Sequence, residues 1–189
     1  MSTAETPGTW RSSDGERVLF PAALQAWANH GHPYLRALAR THGSWVTYED
    51  FAEELQVGTG IRTKMMLPNW IGKALGQVGL RAKDNGEPLI TSLVVHKDGT
   101  IGPGYAEVYK QRDLPVPVDL DQAAANDRFA CYRFFGADIP AGAVPMLTPQ
   151  VAASRQRQRQ RSVRPARATC PTCFRELPFS GICDICEDT

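Results

Sequence analysis

The clearest chemistry in the chain belongs to four cysteines near its C-terminus. Cys170 and Cys173 form a Cys-Pro-Thr-Cys pair; nine residues on, Cys183 and Cys186 form a Cys-Asp-Ile-Cys pair. Two residues between the thiols of each pair let both sulfurs reach one ion, and four thiolates make the tetrahedral sulfur shell of Zn2+. Such a closed shell implies one structural Zn2+; iron or a redox dithiol are the other chemistries this spacing serves. Disulfides would need an oxidising compartment, and the opening MSTAETPGTWRSSDGER has no apolar stretch of the export type, so the expected location is cytoplasmic. A zinc ribbon is therefore expected over residues 169–189. Phe174, Leu177, Phe179 and Ile182 would form its small core, which could not fold without the metal. The fifth cysteine, Cys131, lies in an aromatic helical pattern and reads as a buried core thiol.

The second chemistry is a concentration of positive charge. Residues 151–167 carry six Arg and no acid, and residues 168–189 carry one Arg against four acids. Residues 1–150 carry 14 basic and 16 acidic side chains, so a formal net charge of +1 hides strong segregation. From Ser154 the run SRQRQRQRSVRPARA has almost nothing apolar to bury, which predicts a linker over residues 151–168 that is disordered or ordered only locally on induction. A solubilising spacer is the plain reading. The favoured one is a cationic strand in which Arg155, Arg157, Arg159 and Arg161 track phosphates and add a salt-sensitive term to affinity. The acidic ribbon suits a protein partner better than nucleic acid.

The elements that must position these groups lie upstream. Apolar content of 42% and charged content of 22% allow a packed core. Residues 1–16 read as a flexible tail and residues 17–150 as one α+β domain. Pro21 begins a short helix over PAALQAWANH, with Gly31 just after its end, and a second helix fits Pro33 to Thr41. Thr47 caps a third, with Asp50 in its first turn and Tyr48, Phe51, Ala52 and Leu55 on its core face. From Leu55 to Lys83 there are five basic residues and no acid. Within that window Trp70, Ile71, Ala74, Leu75 and Val78 gather on one side of a helix. Asn69, Gly72, Lys73, Gly76 and Gln77 gather on the other. Small residues on such a face permit close approach, Asn and Gln can read base edges, and Lys can reach guanine or phosphate. The plain reading of the same face is a surface helix whose glycines allow tight packing on a neighbour. Leu89 to Val95 and Thr100 to Tyr109 then read as two strands around the turn Lys97-Asp98-Gly99, a wing that would bring Lys97 and His96 to the backbone. LPVPVDL from Leu114 is an extended connector, and Asp119 or Asp121 caps a helix running to about Phe135.

The order of helix, turn, recognition helix and wing is that of a winged helix-turn-helix. The stretch resembles the DNA-binding domain of alkylguanine-DNA alkyltransferases and the alkyltransferase-like proteins. The likeness lies in Thr47-Tyr48 with Ala52, in Ile71-Gly72-Lys73-Ala74-Leu75, and in Pro88-Leu89 leading through Val94-Val95 to Asp98-Gly99 and Gly104-Tyr105. It covers roughly a third of the chain. The resemblance implies a winged-helix surface for DNA and gives Tyr48 the place of the tyrosine beside the flipped nucleotide. The family's Pro-Cys-His-Arg motif falls on Ile90, Thr91, Ser92 and Leu93, so its acceptor cysteine is missing, and its intercalating arginine aligns with Asn69.

The expectation is thus an α+β winged-helix domain, a disordered basic linker and a zinc ribbon, acting as a non-catalytic protein that binds nucleic acid, with double-stranded DNA the expected form. The contacts would be Tyr48, Arg62, Lys64, Asn69, Lys73, Gln77, Lys97 and the linker arginines. No catalytic residues are expected: no carboxylate pair, Ser/His/Asp set or phosphate-cradling loop presents itself. The competing class is an adaptor whose helix face and ribbon dock a larger complex.

Overall fold

The computed structural model describes residues 8–163, 169–177, 183, 185 and 186. The chain divides into two units, residues 1–151 and 152–189. The first is mixed α and β. Its elements are β1 (Thr9–Arg11), α1 (Phe20–Leu38), β2 (Val46–Thr47), α2 (Tyr48–Thr59), β3 (Ile61–Thr63), α3 (Ile71–Asp84), β4 (Val94–Val95), α4 (Tyr105–Lys110) and α5 (Leu120–Phe134), followed by the start of α6 (Pro149–Val163). The strands make two small sheets: β1 runs antiparallel to β3, and β2 runs parallel to β4.

The first expected helix pair is one helix. Ala23, Trp27, Ala28, Gly31, His32 and Leu35 form a continuous buried stripe along α1, so burial overrides the break at Pro33. Pro33 and Asn29 both face solvent, where the carbonyl of Asn29, deprived of its donor, can be hydrated. α2 comes close at Gly31: a Cβ there would stand 2.8 Å from Leu55 Cδ2 and 2.9 Å from Phe51 Cζ. α1 thereby lies against both α2 and α3.

Caps behave as the sequence indicates. Thr47 Oγ1 accepts from the backbone N–H of Asp50, Gly60 ends α2 in the left-handed region, and Asp119 accepts from the N–H of Gln122 to begin α5. Part of the expected tail is paired. Residues 1–7 lie outside the described residues, but Thr9–Arg11 pair with Ile61–Thr63, and the N–H of Val18 returns to the carbonyl of Thr9. A three-residue strand carries too little pattern to be read before its partner is known.

The expected wing is also different. Ile90–Leu93 is a 3-10 turn, only Val94–Val95 is strand, and the second half of the hairpin is replaced by α4. Tyr105 and Tyr109, one helical turn apart, are buried and both donate to Asp127 Oδ2 of α5. That side-chain clamp, 22 and 18 residues away in sequence, decides helix over strand. Finally, residues 149–163, expected to be irregular in their linker portion, are helical. Ala, Arg and Gln are all strong helix formers, and intrinsic propensity acts where burial cannot.

Burial raises the Asp127 carboxyl above the ordinary carboxylate range, against the opposing effect of the two tyrosine hydroxyls. A raised folded-state value means that Asp127 favours the folded state below its unfolded pKa and that this contribution is lost as pH rises through its folded pKa. Asp127→Asn keeps an acceptor without the charge. Denaturant melts of that variant are expected to match or exceed the parent at neutral pH and to flatten the fall in stability above pH 4. Asp127→Ala should cost about 1–3 kcal/mol for each hydroxyl left unpaired.

Candidate metal centre and nucleic-acid face

The local chain builds the metal centre. Thr169 bridges Glu176, the N–H of Cys170 donates to the carbonyl of Arg175, and the N–H of Phe174 donates to the carbonyl of Cys170. This tight turn needs Phe174 at a φ of 57°. The left-handed region costs a side-chain-bearing residue roughly 1–2 kcal/mol. The turn leaves the backbone N–H groups of Cys173 and Thr172 facing the Cys170 sulfur, and they draw its pKa down to about 6. Across the site, hydrogen bonding to Cys173 and Cys183 holds the proton on Cys186, pushing it up to about 12. Binding a cation requires these thiols to lose their protons.

The sulfurs of Cys170, Cys173, Cys183 and Cys186 all lie within 4.8 Å of one another. Cys170 and Cys186 are 3.8 Å apart, and Cys173 and Cys183 are 3.5 Å apart. Neither distance is a disulfide, and both approximate the S···S edge of about 3.8 Å that a tetrahedron with metal–sulfur bonds of about 2.3 Å requires. The four residues can therefore hold a metal ion. The small core differs from expectation: Phe174 is 80% exposed, and Phe179 and Ile182 lie outside the described residues. Cys131, by contrast, is fully buried, and burial pushes its thiol up to about 12.

The basic face is built on α3. Ile71, Ala74, Leu75, Val78, Gly79 and Ala82 turn inward, which leaves Gly72, Lys73, Gln77, Leu80 and Lys83 exposed, with Asn69 exposed one residue before the buried Trp70. Among the described residues, nothing comes within 4 Å of where a Cβ would stand on Gly72 or Gly76. Tight packing among the described residues therefore does not explain these glycines. Lys73 Nζ lies over the Phe20 ring, 5.4 Å from its centroid. No side chain caps α3, and its first turn has no acid.

The remaining contacts sort differently. Arg62 Nη1 bonds both Glu53 oxygens, at 2.9 and 3.0 Å, so a phosphate would have to compete with Glu53 for it. Lys64 is exposed, its ammonium 6.0 Å from the Trp10 ring centroid. Lys97 is exposed on a turn in which Asp98 accepts from both Thr100 N–H and Thr100 Oγ1. Gly99 makes this turn possible, with a φ of 82° and with Thr148 Oγ1 occupying the place a Cβ would take. Thr148 immediately precedes α6, so the Lys97 turn and the start of α6 are in contact. Nothing local in the sequence signals that contact. Arg157, Arg159 and Arg161 are exposed on α6; Arg155 is partly buried and has interactions of its own.

Tyr48 stacks on His96, with centroids 4.7 Å apart, and its hydroxyl packs against the backbone of Gly102. Burial raises its pKa, and the Gly102 N–H opposes that shift. Thr91, which the alkyltransferase likeness places at the acceptor cysteine, is buried and its Oγ1 has no hydrogen-bond partner. Ser92 Oγ meets the Cys131 sulfur at 4.0 Å.

Elemental analysis of the purified full chain should find one tightly held metal ion per molecule. Cys173→Ser should lose it while leaving the melting of residues 8–151 unchanged, since their core contains none of the four ligands. No protein-family model, curated protein or solved structure matches the chain.

Proposed function

We propose that the protein binds duplex DNA without catalysing a reaction on it, with the outer face of α3 entering the major groove. One observation carries this reading: a Cβ on Gly72, in the first turn of α3, or on the half-buried Gly76 further along it, would meet nothing within 4 Å among the described residues. Mid-helix glycine is less favourable than alanine by about 1 kcal/mol, and no neighbour among the described residues requires it here. A face that must admit another backbone does require it. Asn69, Lys73 and Gln77 flank the two glycines at helical spacing. Asn and Gln can pair bidentately with adenine, and Lys can reach guanine or phosphate. The uncapped start of α3 adds backbone N–H groups and the positive end of a helix dipole, both favourable to phosphate.

The packing of α1 against α2 and α3 supports a helix-turn-helix-like arrangement, with α3 in the recognition position. The turn at residues 97–99 takes the place of a two-stranded wing and offers Lys97 to the backbone. For the C-terminal unit the reading is a zinc ribbon. Four thiolates favour Zn2+ over harder cations and leave no open position, so the ion is structural.

Gly76→Ala separates folding from binding. It should stabilise the protein by about 0.5–1 kcal/mol in denaturant melts and weaken duplex binding measured by fluorescence anisotropy. Lys73→Glu should weaken it further, by about tenfold or more at low salt. If Gly76→Ala gains stability and binds as the parent does, α3 is not the groove face. If the parent binds no nucleic acid even at low salt, the adaptor reading takes its place.

A further inference from the structure

We propose that α6 is itself a groove-binding helix whose arginines grip both walls of the DNA major groove. The inference rests on the duplex-binding reading above but uses different residues. The sequence alternates Arg155, Gln156, Arg157, Gln158, Arg159, Gln160, Arg161. In an extended chain that alternation puts every arginine on one edge, which suits a single phosphate strand. In the helix that the chain forms, successive residues turn by about 100°, and the pattern changes meaning.

Arg155 and Arg159 then fall within about 40° of each other, as do Arg157 and Arg161, with the two rows nearly opposite. Gln156 and Gln160 fall together in the gap between the rows, and Gln158 points the other way. A helix with a basic row on each side and two amides between them matches a groove: phosphates at both walls and base edges on the floor. Glutamine can pair bidentately with adenine on that floor.

Two considerations favour this use. Residues 156–162 are all exposed, and no ion pair among the described residues engages Arg157, Arg159 or Arg161. The helix is also electrostatically incomplete alone, because like charges four residues apart oppose helix formation, and bound phosphates would remove that penalty. The dimensions select the duplex. A helix of about 10–12 Å diameter enters the major groove of B-DNA, about 12 Å wide. The deep, narrow major groove of A-form RNA does not admit it.

The test uses the full chain with metal bound, labelled duplex DNA and duplex RNA of the same sequence, and two variants. Gln158→Pro breaks the helix on its outward side without changing charge. The second variant replaces Arg157, Arg159 and Arg161 by Gln. Circular dichroism should show helicity rising when duplex DNA is added to the parent. Gln158→Pro should bind the duplex at least tenfold more weakly, with metal content and the melting of residues 8–151 unchanged. The triple variant should flatten the slope of log affinity against log salt by about 0.9 per arginine. Duplex RNA should bind more weakly than DNA. The proposal is overturned if Gln158→Pro binds as the parent does, which would make the segment a flexible cationic strand, or if duplex RNA binds as tightly as DNA. If Lys73→Glu weakens binding while Gln158→Pro does not, only this inference fails. If the parent binds no nucleic acid, both readings fail together.

Discussion

Trp27 is the constraint on which the first unit depends. It is fully buried at the middle of α1, its ring meets that of Trp70 with centroids 4.4 Å apart, and its indole N–H donates to the carbonyl of Ile61 at 3.2 Å. One side chain therefore joins α1 to β3 and to the residue that begins α3. A buried indole that large fixes position as well as adding apolar area, because its single donor must find an acceptor. With Trp70 held inward, the period of 3.6 residues leaves the rest of α3 little choice of orientation. Ile71, Ala74, Leu75 and Val78 must face the core, and Gly72, Lys73 and Gln77 must face out. Phe20 extends the same contact: it meets Trp27 edge-on at 6.4 Å and lies under the Lys73 ammonium. The polar face of α3 is thus oriented from within the core.

How much of this could be read in advance depends on how local each cause is. α2, α3 and α5 have core faces that repeat at helical spacing, and α2 and α5 also have caps a few residues away, so their existence and their outward residues were legible. The cysteine site was legible for a similar reason, since each pair is built by one tight turn. α4 was not, because what makes Tyr105 and Tyr109 helical is an aspartate on a later helix. Nor was the pairing of β1 with β3, where the strands are short and their partners far apart in sequence. Pro33 misled in a different way: proline inside a helix normally breaks it, but here it lies on the exposed side of α1 while the buried stripe from Ala23 to Leu35 runs on past it.

The engagement of candidate contacts was also invisible. Arg62 looks like its basic neighbours in sequence, yet the fold returns it to Glu53, while Lys64 and Lys97 remain exposed. Charge counts identify a basic region; only three-dimensional pairing shows which of its charges the protein has already used. The basic segment after residue 151 shows the converse error. Residues 156–162 are indeed all exposed, but burial is one source of helicity and intrinsic propensity is another.

The two basic helices consequently hold their shape by different means. α3 is fixed by the core whether or not a ligand is present, so its face costs little to organise at the moment of binding. Residues 156–162 of α6 have no core beneath them, and their like charges oppose the helix they form, so a polyanion would stabilise the element that recognises it. A preformed face and a ligand-stabilised one respond differently to salt. Screening weakens the first mainly by reducing attraction to phosphate. For the second, salt also relieves the repulsion between arginines in the unbound helix, so part of the advantage that DNA would confer is already supplied by free ions. An affinity assembled from both should therefore owe its steepest salt dependence to α6 and its residual high-salt binding to the glycine-opened face of α3.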